Sequence, residues 1–206
     1  MYIQDSSRHT IGGTTDGARN VISGNLGEGI KIIGAEADSN VIRGNYVGLN
    51  ADGTAALGNR LSGIFVPGAT GTQIIDNVVS GNNGFAGIAI CGSAFCGGAA
   101  STGDTSGTVI QGNRVGTNAA GDAAVANLGY GISIDGGTGR TIGGTAAEAR
   151  NVISGNASGR RDVGLLFFNG AQGDIVQGNY IGTDIDGVNA LPNGVGVLIA
   201  DAVGVL

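Results

Sequence analysis

The chain has 206 residues, enough for one sizeable domain or one solenoid. Ten basic against sixteen acidic residues give a net charge of −6, and no basic stripe appears, which argues against a general nucleic-acid binder. Glycine supplies 43 residues and proline only 2, a ratio foreign to collagen, while recurrent Val and Ile with 13% charged residues argue against disorder.

The chain opens with MYIQDSSRHT, which has neither a basic n-region nor an apolar h-region and so does not read as a signal peptide. No run of 18 apolar residues follows that would read as a membrane-spanning helix. The hexapeptide Asn20–Asn25, NVISGN, then appears and returns letter for letter at Asn151–Asn156. Looser copies lie at Asn40–Asn45, Asn77–Asn82, Thr108–Asn113 and Asp174–Asn179. Such self-similarity marks a repeat architecture.

Aligned on these copies, each turn holds three short strands, here named A, B and C. Strand A begins near Thr10, Asn40, Gln73, Thr108, Thr141 and Asp174, spaced by 30, 33, 35, 33 and 33 residues. Strand B begins at Asn20, Asn45, Asn77, Asn113, Asn151 and Asn179. Strand C is a Gly-apolar run at Gly29–Ile32, Gly63–Val66, Gly87–Ile90, Gly131–Ile134, Gly164–Phe167 and Gly196–Ile199. Short β-branched runs punctuated by Gly and Asn predict an all-β, right-handed parallel β-helix of about six turns, three short strands per turn, in a single domain over residues 1–206. Turns 1 and 5 carry an insertion before NVISGN, and turns 2, 4 and 6 carry a longer loop before strand C, as outward bulges at fixed corners allow.

In strand B the third position is always Val or Ile and the second varies. Alternation puts the third inside, and with it the first, which is Asn in all six turns. Asn20, Asn45, Asn77, Asn113, Asn151 and Asn179 are therefore expected to stack as an amide ladder. In strand A the adjacent apolar pairs Val41-Ile42 and Ile74-Ile75 leave the inward parity open.

The repeated TIGGT, ARNVISGN and GNYIGT elements, followed by GIxI or GVxI, resemble the parallel β-helix repeats of large bacterial surface and secreted proteins. The resemblance covers essentially the whole chain. It implies a pectate-lyase-like solenoid and an extracellular or cell-surface setting, and its relatives include polysaccharide lyases, epimerases, tailspikes and adhesin stalks, so it does not choose a function.

Chemistry is sparse. The outward stripe of strand C reads Tyr2, Lys31, Phe65, Ala89, Ser133, Leu166, Leu198, with one cation and no carboxylate. That is no acid–base constellation, so no catalytic residue is assigned. His9 stands alone beside Arg8. Tyr46, Arg114 and Tyr180 on the outward stripe of strand B are candidate glycan contacts, interrupted by valines. Asp184 and Asp186 begin a D-x-D-G run that is a weak calcium candidate; turn-forming Asp is the plainer reading. Otherwise no cofactor is expected. Cys91 and Cys96 enclose a short loop suited to a disulfide in an oxidising compartment. The first and last segments, Met1–Gln4 and Ala202–Leu206, read as partial turns without caps. The expectation is therefore a non-enzymatic structural solenoid that stacks head to tail on itself or on flanking turns, as fibre or stalk. A carbohydrate-binding adhesin module and a polysaccharide lyase or epimerase are the rival readings.

Overall fold

The structure, a computed structural model, describes residues 1–93, 104–157, 159 and 161–205. It is a parallel β-helix of about six turns, with the right hand that parallel crossovers take. Three sheets run its length. Sheet A stacks Thr10–Gly12, Val41–Arg43, Gln73–Ile75, Val109–Gln111, Thr141–Gly143 and Ile175–Gln177. Sheet B stacks the two-residue strands Val21–Ile22, Tyr46–Val47, Val78–Val79, Arg114–Val115, Val152–Ile153 and Tyr180–Ile181. Sheet C has seven strands: Tyr2–Gln4, Ile30–Ile33, Ile64–Pro67, Ala86–Cys91, Tyr130–Asp135, Val163–Phe168 and Val195–Ile199. Every ladder is parallel. Rungs of such sheets lie about 4.8 Å apart. Among the described residues no helix is long and apolar enough to cross a membrane.

The core is a set of stacked ranks. Ile11, Ile42, Ile74, Ile110, Ile142 and Val176 lie in register in sheet A. This resolves the parity left open by sequence: Ile42 and Ile74 face inward, and Val41 and Ile75 are half-exposed. In sheet B the rank is Ile22, Val47, Val79, Val115, Ile153 and Ile181. Sheet C contributes Ile30, Ile64, Ile88, Ile132, Leu165 and Val197. β-Branched residues suit this geometry because their stiff side chains nest on the equivalent apolar residue one rung away. Each fully buried Ile contributes about 1.5–3 kcal/mol of transfer free energy.

The insertions of turns 1 and 5 are single 3₁₀ turns, Asp16–Ala18 and Ala147–Ala149. The even-turn loops each close with an antiparallel bridge: Leu49 with Ala56, Thr117 with Ala124, Thr183 with Ala190. They hydrogen-bond to each other along the axis, Ala119 N to Gly53 O at 2.8 Å and Ile185 N to Gly121 O at 2.9 Å. The true repeat is thus two turns, and the loops roof the outer face of sheet B. Under that roof Val78 and Val152 are buried although they point outward.

The Gly that opens strand C is a packing requirement at Gly29, Gly63, Gly87, Gly131 and Gly164, and not at Gly196 on the last rung. A Cβ on Gly87 would lie 2.6 Å from Asn127 Nδ2 and 2.9 Å from Gly131 O. Overpacking of this kind costs about 1–3 kcal/mol. Gly87→Ala is expected to lower stability by that amount in urea titration, with a Tm drop to match; a variant as stable as the parent would contradict the packing described.

Candidate functional site

The inner corner between sheets A and B holds a continuous chain of side-chain amides. Nδ2 of Asn20 donates to Oδ1 of Asn45 at 2.8 Å, Asn45 to Asn77 at 3.1 Å, Asn77 to Asn113 at 3.1 Å, Asn113 to Asn151 at 3.0 Å and Asn151 to Asn179 at 2.8 Å. Each Oδ1 also accepts the preceding Asn backbone N–H, as Asn77 does from Asn45 at 3.0 Å. The second hydrogen of Asn77 Nδ2 goes back to Ile42 O at 2.9 Å. Asn45, Asn77, Asn113 and Asn151 are fully buried, so complete satisfaction is what makes them tolerable.

A second ladder occupies the corner between sheets B and C. Asn25 donates to Asn59 at 2.7 Å, Asn59 to Asn82 at 2.9 Å, Asn82 to Asn127 at 3.1 Å, Asn127 to Asn156 at 3.1 Å and Asn156 to Asn193 at 3.2 Å. Sequence reading missed it. In odd turns it is the final Asn of NVISGN-type hexapeptides, but in even turns it comes only after the long loop. The signal is an Asn placed shortly before each strand-C glycine. Between the ladders, the hydroxyls of Ser23, Ser80 and Ser154 accept the N–H groups of Gly48, Gly116 and Gly182 at 3.0–3.1 Å.

At the third corner the stack changes chemistry. Arg140 and Asp174 are fully buried and paired: Nη2 donates to Oδ2 at 2.8 Å and the backbone N–H of Arg140 to Oδ1 at 2.9 Å. Burial pushes the Asp174 carboxyl up and the Arg140 guanidinium down, and their mutual contact opposes both shifts. The pair replaces the neutral Asn40, Thr72 and Thr108 of earlier turns. Removing one partner would leave the other buried and uncompensated.

The calcium candidate has a local partner set. Asp184 Oδ1 accepts from Val188 N–H at 2.9 Å and Oδ2 from the Asn189 amide at 2.5 Å. Asn50 holds Thr54 and Ala55 N–H in the same way, and Asn118 holds Gly121, Asp122 and Ala123. Asp184 therefore plays a turn-capping part that a neutral amide plays in the other two loops. Among the described residues no three His, Cys, Asp or Glu side chains gather as metal ligands.

Tyr46, Arg114 and Tyr180 do lie on one outward stripe of sheet B, separated by Val78 and Val152. Two of the three are already engaged. Arg19 stacks over the Tyr46 ring at 4.3 Å, and Arg150 over the Tyr180 ring at 4.0 Å. One face of each of these rings is thus covered by an arginine. Of the cysteine pair, Cys91 ends a sheet C strand and is buried; Cys96 lies outside the described residues.

The outer face of sheet C carries a notch of about 590 Å³. The stripe read from sequence is in register there, and its two small members, Ala89 and Ser133, make the floor between Phe65 and Leu166. The walls come from residues off that stripe: Phe85, Phe168, Glu28 and Asp135. Phe85 meets Tyr130 edge-on at 5.1 Å, and Arg161 caps both rings at 4.9 and 5.2 Å. Ser133 Oγ is buried without a hydrogen-bond partner, while Asp135 accepts from Asn169 Nδ2 at 3.0 Å. Aromatic walls around an unmatched hydroxyl suit a ligand with both apolar faces and hydrogen-bonding groups. In comparisons with known proteins, no family model, curated protein or solved structure matches the chain.

Two outcomes follow. Asn77→Leu leaves Asn45 N–H and the Asn113 and Ile42 oxygens short of a partner, so a loss of about 1–3 kcal/mol is expected by urea unfolding; an unchanged midpoint would contradict the ladder's role. Hydrogen bonds from Val188 and Asn189 hold the Asp184 carboxyl below its usual value. Its contribution is therefore present above a pH of about 4 and is lost as pH falls through the lowered folded-state value. Asp184→Asn should match the parent at neutral pH and lose less stability below about pH 4; parallel acid melting curves would count against this.

Proposed function

We propose that the chain is a non-enzymatic structural β-solenoid of an extracellular or cell-surface protein, a rigid fibre or stalk segment whose edges take further rungs. The observation that supports this is the polarity of the two ladders. Every amide-to-amide bond runs toward the last rung, so the edge there offers the Asn179 and Asn193 backbone N–H groups, while the first rung offers the Oδ1 acceptors of Asn20 and Asn25. Head-to-tail contact matches donors with acceptors, and head-to-head contact does not. Val197 and Ile199 are 40% and 49% exposed, although their rank-mates Leu165 and Phe167 are fully buried. A strand laid on this edge would complete both the apolar ranks and the backbone pairing.

A second copy supplies such a strand: Tyr2–Gln4 set on Val195–Ile199 extends sheet C. Sheet C has one strand more than the other two, so a copy placed in this way leaves one strand place to fill in each of sheets A and B. Flanking turns of a longer chain would fill all three. The notch on sheet C favours carbohydrate binding as a second reading, with Phe85 and Ser133 rather than Tyr46, Arg114 and Tyr180 as the contacts. Turnover of uronic-acid polymers would instead favour the enzyme reading.

Sedimentation velocity and electron microscopy over a concentration series test the proposal. Reversible end-to-end association is expected, abolished by Ile199→Lys with the middle rungs still folded. A parent that stays monomeric at high concentration would rule out stacking of copies, and a glycan-array signal lost in Phe85→Ala would move the function to the notch.

A further inference from the structure

The three two-turn units differ at one place on the outer corner between sheets A and B. In the first, the insertion Asp16–Ala18 places Arg19 on Tyr46; in the third, Ala147–Ala149 places Arg150 on Tyr180. In the middle unit the corner passes straight from Ile75 through Asp76 to Asn77, with no insertion, and the aromatic position is Arg114. Where the insertion is missing lies a depression of about 380 Å³, lined by Val78, Tyr46 and Arg114 and by the Arg19–Asp16 and Arg43–Asp76 pairs.

The charges around it are unequal. Arg19 pairs with Asp16, and Arg43 donates twice to Asp76 Oδ2, at 2.9 and 3.2 Å. Arg114 has no such carboxylate: among the described residues it enters no ion pair, and its Nε is buried with no hydrogen-bond acceptor. Arg114 is half-buried; a shielded Nε–H without an acceptor is costly, and the planar fork of a guanidinium fits an oxyanion through two parallel N–H···O bonds. We propose that the depression over Arg114 is an oxyanion-binding site for a sulfate or phosphate group, with Arg114 as the principal ligand and Arg43 and Arg19 on its rim. The chain as a whole carries a net charge of −6, so the site works by local geometry and not by long-range attraction of polyanions. It is independent of the edge contacts and of the notch on sheet C.

The test compares the parent with Arg114→Tyr, which installs the residue the chain itself uses in the two sister units and so should fold. Thermal melts in sodium sulfate and in inorganic phosphate, against sodium chloride of equal ionic strength, should raise the parent Tm by several degrees more than the variant Tm; the general salting effect of these anions is common to both and cancels. Arg114→Lys, which keeps the charge but loses the fork, should recover only part of the difference. Titration with dextran sulfate, using neutral dextran as the blank, separates the sources. Binding there that falls at least tenfold in Arg114→Tyr assigns the group to an acidic polymer, and binding confined to the free anions assigns it to a small ion. Equal anion-dependent shifts in the parent and Arg114→Tyr would overturn the site.

Discussion

Hydrogen bonding between identical amides on successive rungs is the constraint on which the rest depends. A corner of a β-helix must turn the chain sharply while its polar backbone groups stay satisfied in a water-free interior. The two asparagine ladders do this at both ends of sheet B. Each amide takes two hydrogens from the rung before and gives two, one forward and one back. Register follows, because a one-residue slip would turn the amide outward and leave the neighbouring rungs with unmatched donors. Sheet B strands of only two residues are sufficient because the ladders pin them on both sides.

Around this polar frame the apolar ranks are simple. Ile and Val stack on their equivalents, and the strand C glycines bring that strand close enough to the second ladder for its backbone to pack on Asn59, Asn82 and Asn127. The even-turn loops form an outer layer with a two-turn period. Where the loops and insertions are complete, arginine lies on tyrosine; where the insertion is missing, Arg114 stands open to a depression. Ligand binding is therefore expected where the repeat is broken, because repeated positions are committed to stacking.

Much of the fold was legible in the sequence, since strict recurrence of Asn and Val or Ile at fixed offsets reports stacking directly. The first ladder was visible because its members open every strand B. The second was not, because a loop of variable length separates its even-turn members from the hexapeptide. Strand A parity was undecided, as both faces carry apolar residues and only the turn-to-turn register selects Ile74 over Ile75. The notch on sheet C was not legible along any single stripe for a different reason. Its floor residues, Ala89 and Ser133, matter by being small, and its walls, Phe85 and Phe168, belong to other positions of the rung.

Hydrogen exchange resolved to single amides tests the ladder account most directly. The backbone N–H groups of Asn45, Asn77 and Asn113, each bonded to a side-chain oxygen one rung ahead, should exchange only through global unfolding, as slowly as that of Ile88 in the core. Exchange of these three at the rate of the exposed loop amide of Asp52, with Ile88 still protected, would show that the ladders follow the fold instead of holding it, and would contradict the account.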